Sequence, residues 1–565
     1  MRRWLLRRDV LWTAGLLTLL VAYLAFGDAA DPCLDQPVSL AAAAGYGDGA
    51  LAPHERVTVA GTVTATFLGD NALNGFFLQA ADARGEPAAL FVYAPGLDDA
   101  ERRRVRRGAR LQVRGTTDRF HGRPQVGHVE AVHQCGGGGR PEPVVLEGTP
   151  DRGKGSRMEG LLVRHSGELV VTGNQRLGRF GTLALAPERL VRRRSGEQPE
   201  NVLLLDDGSY ATHPDPVPYL DPDSGTRRAG DRVRGVTGIL THAFDRWRIH
   251  PVTPPSFRAA NPRPRRPGPV GGDLRAAAFN VQNYFVTTGE RGAADRRARA
   301  RQRQRLRAAL ARLDADLLAL AEVENDARAL ADLVGGPAPA ADGRAYRVVR
   351  GGDPGGDAIR AGLAYRPQRL ELVAGPFRDG APVHDRPPQA AVFRPPGGRA
   401  FLAAAVHFKS KTRCPEHGDV DTGEGCWNQR RTEQARALVD FVREQARRHD
   451  IDDILLLGDF NSYPGEAPMR ALAEAGFTDL VGGHAGAGDG YTYVYREAAG
   501  RLDYALANDS MRSRVRGAAA WHINADEPAA LAYDGRMAAG GGARGQPFRS
   551  SDHDPVLVGF DSGDD

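Results

Sequence analysis

The sequence predicts a multidomain protein with all-β modules first and an α/β domain last. Three observations predict it. The chain of 565 residues exceeds what one ordinary core organises. Between residues 56 and 252, apolar and polar residues alternate in short runs broken by turn residues, the period-two pattern of half-buried strands. From residue 274 onward, apolar runs alternate with segments of helical spacing instead, as in layered α/β domains.

Residues 1–30 read as an export element. Arg2, Arg3, Arg7 and Arg8 precede an apolar run from Val10 to Phe26. Positive charge ahead of such a run keeps that end in the cytoplasm and sends the following chain outward. The run is long for a signal-peptide core and short for a membrane span. Two expectations therefore stand side by side: a signal peptide cleaved near Ala25-Phe26-Gly27, or an inner-membrane anchor at 10–26. Either way the segment engages the membrane at least transiently, and the rest of the chain is expected to be secreted or periplasmic.

Four cysteines suit an oxidising compartment. Cys414 and Cys426 bracket a polar loop and are expected to staple it. Cys33 and Cys135 bracket the first module and are expected to pair. No Cys-x-x-Cys occurs, which argues against zinc.

The first module, 31–139, carries strand-like runs at 57–63, 75–79, 90–93 and 110–115 and no convincing helix, and ends in the glycines Gly136 to Gly139. It resembles the small oligonucleotide/oligosaccharide-binding (OB) barrels. Tyr93, Phe120 and, in the next module, Trp247 are candidate stacking platforms there, with core packing as the competing reading. The second module, 140–258, has further candidate strands at 161–163, 169–171, 182–185, 201–205 and 233–240. Similar wording at 110–115 and 231–235 suggests a degenerate repeat. Residues 259–272, rich in proline, arginine and glycine, read as a linker.

The final domain, 273–565, alternates strands and helices. Strands are expected at 274–281, 317–323, 361–365, 400–408, 454–458, 502–506 and 555–560. Leu306, Ala309, Leu310 and Leu313 recur at helical spacing, with arginines on the opposite, solvated face, and 432–448 is an amphipathic helix.

Composition bounds the chemistry loosely. Hydrophobic residues at 41% and charged ones at 26% exclude a disordered chain. A formal charge of +5 does not by itself imply a polyanionic partner. The basic residues are nearly all arginine, with lysine only at Lys154, Lys409 and Lys411, and arginine offers phosphate a bidentate fork.

Short motifs at the ends of the apolar runs are more specific. In chain order they are Ala278-Phe279-Asn280-Val281, Ala321-Glu322-Val323-Glu324-Asn325, Val406-His407-Phe408-Lys409, Gly458-Asp459-Phe460-Asn461 and Ser550-Ser551-Asp552-His553-Asp554-Pro555. A phosphodiester is already anionic, so its hydrolysis is eased by a divalent cation held on oxygen ligands. Glu322 and Asp552 are candidate ligands, because a carboxylate closing a buried strand is costly unless it faces a site. Asp459 and Asn461 stand two apart after a buried run, so they point the same way and can orient water and hold phosphate. His553 is a candidate general base, with Asp503 fixing its tautomer. His407 is placed to serve the leaving oxygen.

The ordered set resembles the endonuclease/exonuclease/phosphatase superfamily, and within it the secreted bacterial nucleases akin to pancreatic-type deoxyribonuclease. The resemblance implies a four-layer α/β sandwich for the final domain. It implies that Asn280, Glu322 and Asp552 surround the metal, that Asp459 and Asn461 position nucleophile and phosphate, that His553 acts with Asp503 behind it, and that His407 serves the phosphate from the other side. Arg386 resembles a phosphate-contacting arginine. Residues 357–367 and the loop 414–427 resemble the secreted subgroup. One departure stands out: the deoxyribonuclease branch has a glutamate behind the histidine matching His407, whereas Ile359 lies near that position here, leaving His407 without an assigned partner.

The expected function is an exported, Mg2+-dependent phosphodiesterase acting on nucleic acid, foremost as an extracellular DNA endonuclease. Mn2+ is a substitute metal and structural Ca2+ an addition. No protein partner is expected. Two other readings compete: a phosphatase or phospholipid phosphodiesterase on the same core, and a surface protein that binds nucleic acid or glycan without catalysis.

Overall fold

In a computed structural model the described residues are all except 1–32, 34–35, 47–48, 70, 82–84, 137, 152–156, 198, 290, 336–344, 485–489, 536, 538–544 and 564–565. The export element at 1–30 thus lies outside the described residues, among which no helix is long and apolar enough to cross a membrane. The chain divides into two compact units. One takes the chain up to Ser166 together with Asp206–Ala211 and Gly235–Pro255; the other takes Gly167–Leu205, Thr212–Arg234 and Ser256–Asp565. The stretch read as a second β module is therefore shared between them.

The first unit is built on a closed five-stranded barrel of β1 (Arg56–Phe67), β2 (Gly75–Ala81), β3 (Pro87–Tyr93), β4 (Arg110–Phe120) and β5 (Arg123–Cys135). Its order is β1-β2-β3-β5-β4, and β4 returns to β1. The alternation seen in the sequence is the reason: in β1, Val57, Val59 and Val63 point inward and pack on Phe76, Leu78, Leu90 and Val113. Cys33 and Cys135 pair across the barrel's end with Cα atoms 5.8 Å apart. A short helix, Asp99–Arg104, departs from the expectation of none. It buries no residue, so it leaves no apolar period; its signal is a capping box between Asp98 and Glu101. Phe120 and Tyr93 are exposed, at 50% and 39%, whereas Trp247 at 7% is a core residue.

In the second unit two six-stranded sheets face each other. The first runs Arg347–Val348, Ile359–Tyr365, Leu317–Glu324, Leu274–Tyr284, Val556–Phe560, Val515–Ala520. The second runs Glu371–Arg378, Gln389–Arg394, Phe401–His407, Ile454–Asp459, Asp503–Ala507, Thr478–Asp479. Ala276, Leu317, Leu363, Phe393, Phe401, Leu455 and Val558 fill the space between the sheets. Helices Arg296–Leu313 and Ala329–Val334 cover the outer face of the first sheet, through Leu306, Leu310 and Leu330. Helices Asn428–Arg448 and Ala467–Glu474 cover the second, through Leu438, Val442 and Leu472. The result is four layers, the architecture that apolar runs buried on both faces demand.

The central strands fall where the apolar runs predict them. The strands Glu371–Arg378, Gln389–Arg394 and Val515–Ala520 were not anticipated; the first is an edge strand with no fully buried residue, and the third is half-exposed. The region 233–240 is two strands, Arg232–Arg234 and Thr237–Ala243, broken at Gly235 with φ of 67°. The first pairs with Leu169–Gly173, whereas 110–115 lies in β4 of the barrel. The stretch 259–272 is not a free linker. Val270 is buried, Asn261 and Arg263 bond to Asp526 and Glu527, and Pro264 accepts from the Trp521 indole. Polar side chains anchor it where apolar ones are lacking.

Candidate active site

The site forms where the strand ends of both sheets meet. In the second sheet the register sets three side chains in a row. His407 stands opposite Asp459 on the parallel neighbour, and Asp459 opposite Asp503 on the antiparallel one. In the first sheet Asn280 pairs with Ala321, and both strands then break register. Gln282, Asn283 and Glu322 take positive φ of 53°, 49° and 62° there. Such bulges re-aim side chains and carry a backbone cost, which is why they gather at functional sites. Here the turn swings Glu322 toward Asn280 and lets the Asn283 amide reach it.

The Asn280 amide nitrogen donates to Glu322 Oε1 and to Asp459 Oδ2, both at 3.0 Å. The Asn283 backbone N–H donates to Glu322 Oε2 at 2.9 Å. Asn461, in the left-handed region, donates its backbone N–H to Asp459 Oδ1 at 2.8 Å and its amide to the Phe408 carbonyl at 3.1 Å. His553 Nδ1 lies 2.7 Å from Asp503 Oδ2. With the proton on Nδ1, Nε2 keeps its lone pair. The Tyr493 ring sits over the His553 imidazole, 4.7 Å between centroids. Ser551 Oγ donates to the Asn280 carbonyl at 2.7 Å, which seats the loop bearing Asp552 and His553 beside Asn280.

Burial and mutual repulsion shape the charges. Burial, then the Asp552 carboxylate, hold Glu322 above the usual glutamate range. Burial and Asp503 push Asp459 up to about 6. Burial, then the Arg386 guanidinium, hold His407 well below the ordinary imidazole value. Burial acts in the same direction on His553, yet Asp503, Asp459 and Asp552 lift it well above that value. Glu322, His407 and Asp459 offer ligand atoms within 4.8 Å of one another, as do Asp459, Asp503 and His553. Asp459, buried, and Glu322, part-buried, share one amide donor and among the described residues have no lysine or arginine bonded to them, so the residues present fit a divalent cation.

The structure brings together Asn280, Glu322, Asp459, Asn461, Asp503, Asp552, His553 and His407. Arg386 stands behind this set. It donates to the carbonyls of His407 and Phe408, and to Asp357 Oδ2 at 3.1 Å, and is buried. All its guanidinium nitrogens are thus engaged by the protein. His407 Nδ1 is buried with no hydrogen-bond partner among the described residues, and Ile359 pairs with Glu324 on the neighbouring strand. Cys414 and Cys426 pair with Cα atoms 5.4 Å apart.

Sequence reading missed three supports. Arg291, half-exposed, donates to Asn283 Oδ1 at 2.8 Å and reaches Asp357 at 3.4 Å; it belongs to no motif. Asn524 donates to the His553 carbonyl at 2.7 Å and accepts from the Ser550 N–H at 2.8 Å. Asp554 takes the Asn524 N–H at 2.7 Å, and its place directly after His553 was the available signal.

A family model described as the Endonuclease/Exonuclease/phosphatase family matches residues 277–553. These residues form an Endonuclease/Exonuclease/phosphatase family domain. Asn280, Glu322, His407, Asp459, Asn461, Asp503, Asp552 and His553 lie within the matched span, and Asp554 falls just beyond it. No curated protein sequence matches the chain. Solved structures similar to it include an endonuclease/exonuclease/phosphatase from Bacteroides vulgatus, 16% identical, covering 50% of this chain and 97% of its own, with a TM-score of 0.34. The human Nocturnin catalytic domain with bound sulfate is 17% identical, covering 50% and 93%, TM-score 0.33. A mannosyl-6-phosphatase from Bacteroides thetaiotaomicron is 17% identical, covering 51% and 98%, TM-score 0.33.

Proposed function

We propose that the chain is an exported, cation-assisted phosphodiesterase that cleaves nucleic acid, foremost DNA as an endonuclease. The observation that carries this reading is the His553–Asp503 pair at 2.7 Å set beside Asp459, Asn461, Asn280 and Glu322. It joins a proton acceptor, a phosphate-orienting amide and a carboxylate pocket where the strand ends of the two sheets meet. The family match over the same residues supports hydrolysis of a phosphate ester. Export is supported by the arginines ahead of the apolar run at 10–26 and by two disulfides.

Glu322, Asp459 and Asn280, with Asp552 alongside, would hold the divalent cation, Mg2+ or Mn2+, which when bound offsets charge on the phosphoryl oxygens. His553 Nε2 takes a proton from water as the new oxygen–phosphorus bond forms, and Asp503 steadies the imidazolium that results. His553 accepts that proton only with the charge of the surrounding carboxylates offset. Asn461 steers the phosphate, and His407 faces it across Asp459. The bond to the leaving oxygen then breaks with its electron pair on that oxygen. Arg291, rather than the buried Arg386, which bonds the protein through all three guanidinium nitrogens, presents a guanidinium to an adjacent phosphate of the polymer.

The closed barrel, with the strand order β1-β2-β3-β5-β4, is read as an OB-like module that holds the strand. Phe120 and Tyr93 are its exposed stacking surfaces.

Supercoiled plasmid incubated with the purified chain and Mg2+ tests the reading. Nicking is expected, to be abolished by chelator and by His553→Ala. Intact plasmid alongside hydrolysis of an inositol phosphate would instead assign the site to the phosphatase branch, and turnover of no phosphate ester would leave only the binding-protein reading.

A further inference from the structure

Of the two clusters of three carboxylate or histidine residues whose ligand atoms lie within 4.8 Å of one another among the described residues, one explains itself. In Asp459, Asp503 and His553 the imidazole is already hydrogen-bonded to a carboxylate of the cluster, at 2.7 Å. That arrangement needs no ion.

The other cluster, Glu322, His407 and Asp459, is different. His407 Nε2 is 3.7 Å from Asp459 Oδ2, too far for a hydrogen bond and close enough to share an ion. His407 Nδ1 is buried with no partner. The ring therefore makes no hydrogen bond through either nitrogen among the described residues. An imidazole meant to pass a proton needs an acceptor on its far nitrogen to fix its tautomer; at the place where such a carboxylate was sought stands Ile359. Yet the ring is not loose. Register sets His407 beside Asp459, and Arg386 holds the carbonyls of His407 and Phe408 from behind. A buried, unbonded imidazole beside one buried and one part-buried carboxylate offers a ligand set of one nitrogen and two oxygens.

Resting on the cation-assisted reading above, we propose that His407 is itself a ligand of the cation, with Glu322 and Asp459, and that the site favours a first-row transition dication such as Mn2+ over Mg2+. Imidazole nitrogen adds affinity for transition dications that Mg2+, bound best by oxygen, does not gain.

The test uses the full chain loaded with Mn2+ and read by electron spin-echo envelope modulation. Nitrogen modulation from a bound imidazole is expected in the wild type, lost in His407→Gln and kept in His553→Gln. Replacing histidine by its 15N-labelled form in the wild type should shift the modulation, which makes the result independent of any variant's folding. Competition binding should show Mn2+ weakened by ~10-fold or more in His407→Gln with Mg2+ little changed. An oxygen-only spectrum, a signal lost only in His553→Gln, or no bound Mn2+ would each overturn the proposal. Oxygen-only Mn2+ binding with plasmid nicking intact would sink the ligand assignment and spare the phosphodiesterase; nitrogen-coordinated Mn2+ without nicking would do the reverse.

Discussion

Two pairs of carboxylates in the same unit are compensated in opposite ways. Asp526 and Glu527 are fully buried, and arginines surround them. Arg189 and Arg228 bond Asp526, with Asn261 and the Tyr491 hydroxyl each at 2.7 Å. Arg228 and Arg263 bond Glu527, with Thr226 Oγ1 at 2.9 Å. Burial alone would raise both acids, but Arg189 and Arg228 hold Asp526 well below the carboxylate range, and Arg228 and Arg263 hold Glu527 below it. Asp459 is equally buried and Glu322 partly so; among the described residues both have only amides and an unbonded imidazole about them, and both lie above that range. The comparison separates structure from function. A buried acid neutralised by the chain's own cations is a rivet, whereas one left uncompensated is open to a cation from outside, the role proposed for Glu322 and Asp459. The rivet also serves the site: Asn174 and the Ala229 N–H hold the Asp526 carbonyl, and the loop continues through Asn524 to His553 and Asp554.

Four changes would break or sharpen this contrast. The largest effect is expected from Glu322→Gln, which keeps the shape and removes the charge. Plasmid-nicking kcat should fall roughly 10³-fold with the thermal midpoint unchanged or raised; a variant with near-wild-type turnover would remove Glu322 from the cation pocket. Arg228→Met leaves Asp526 and Glu527 short of their shared cation and should cost ~3–5 kcal/mol in urea unfolding of the second unit. Wild-type stability in this variant would show that the rivet is not needed.

Divalent cation should stabilise the wild type by about 2.7 kcal/mol at a hundred times its Kd, and Glu322→Gln should lose that gain while Arg228→Met keeps it. Acid titration gives the smallest and most selective effect. Asp526 and Glu527 have folded values below their unfolded ones, so their stabilisation is complete above pH ~4 and declines as pH falls through the folded values. The urea midpoint of the wild type should therefore drop below pH ~4, and Asp526→Asn should flatten that drop. A midpoint flat to pH ~2 would contradict it.

Much of the candidate site was legible because its residues sit at the ends of apolar runs. Ile454–Asp459 is buried throughout, so its register is fixed and the side chains at its end are fixed with it. The supports were not legible for an equally definite reason. Arg228 and Glu527 are 299 positions apart, and nothing local in either neighbourhood distinguishes a buried arginine from a solvated one. The same holds for Arg305, on the helix face read as solvated, which is buried and donates to the Leu531 and Arg549 carbonyls. Arg386 shows the converse. Its local wording fits a phosphate contact, but the fold uses its fork to fasten two backbone carbonyls.

By itself the sequence determined which strands would be central, which motifs would cap them, and that carboxylates, amides and two histidines would be available. Apolar periodicity and strand-end chemistry are local properties, written within a few residues of one another. Only the tertiary structure decided which charges are cancelled and which are left open. That depends on partners hundreds of residues away, and on whether a side chain's donors are already engaged when the site is assembled.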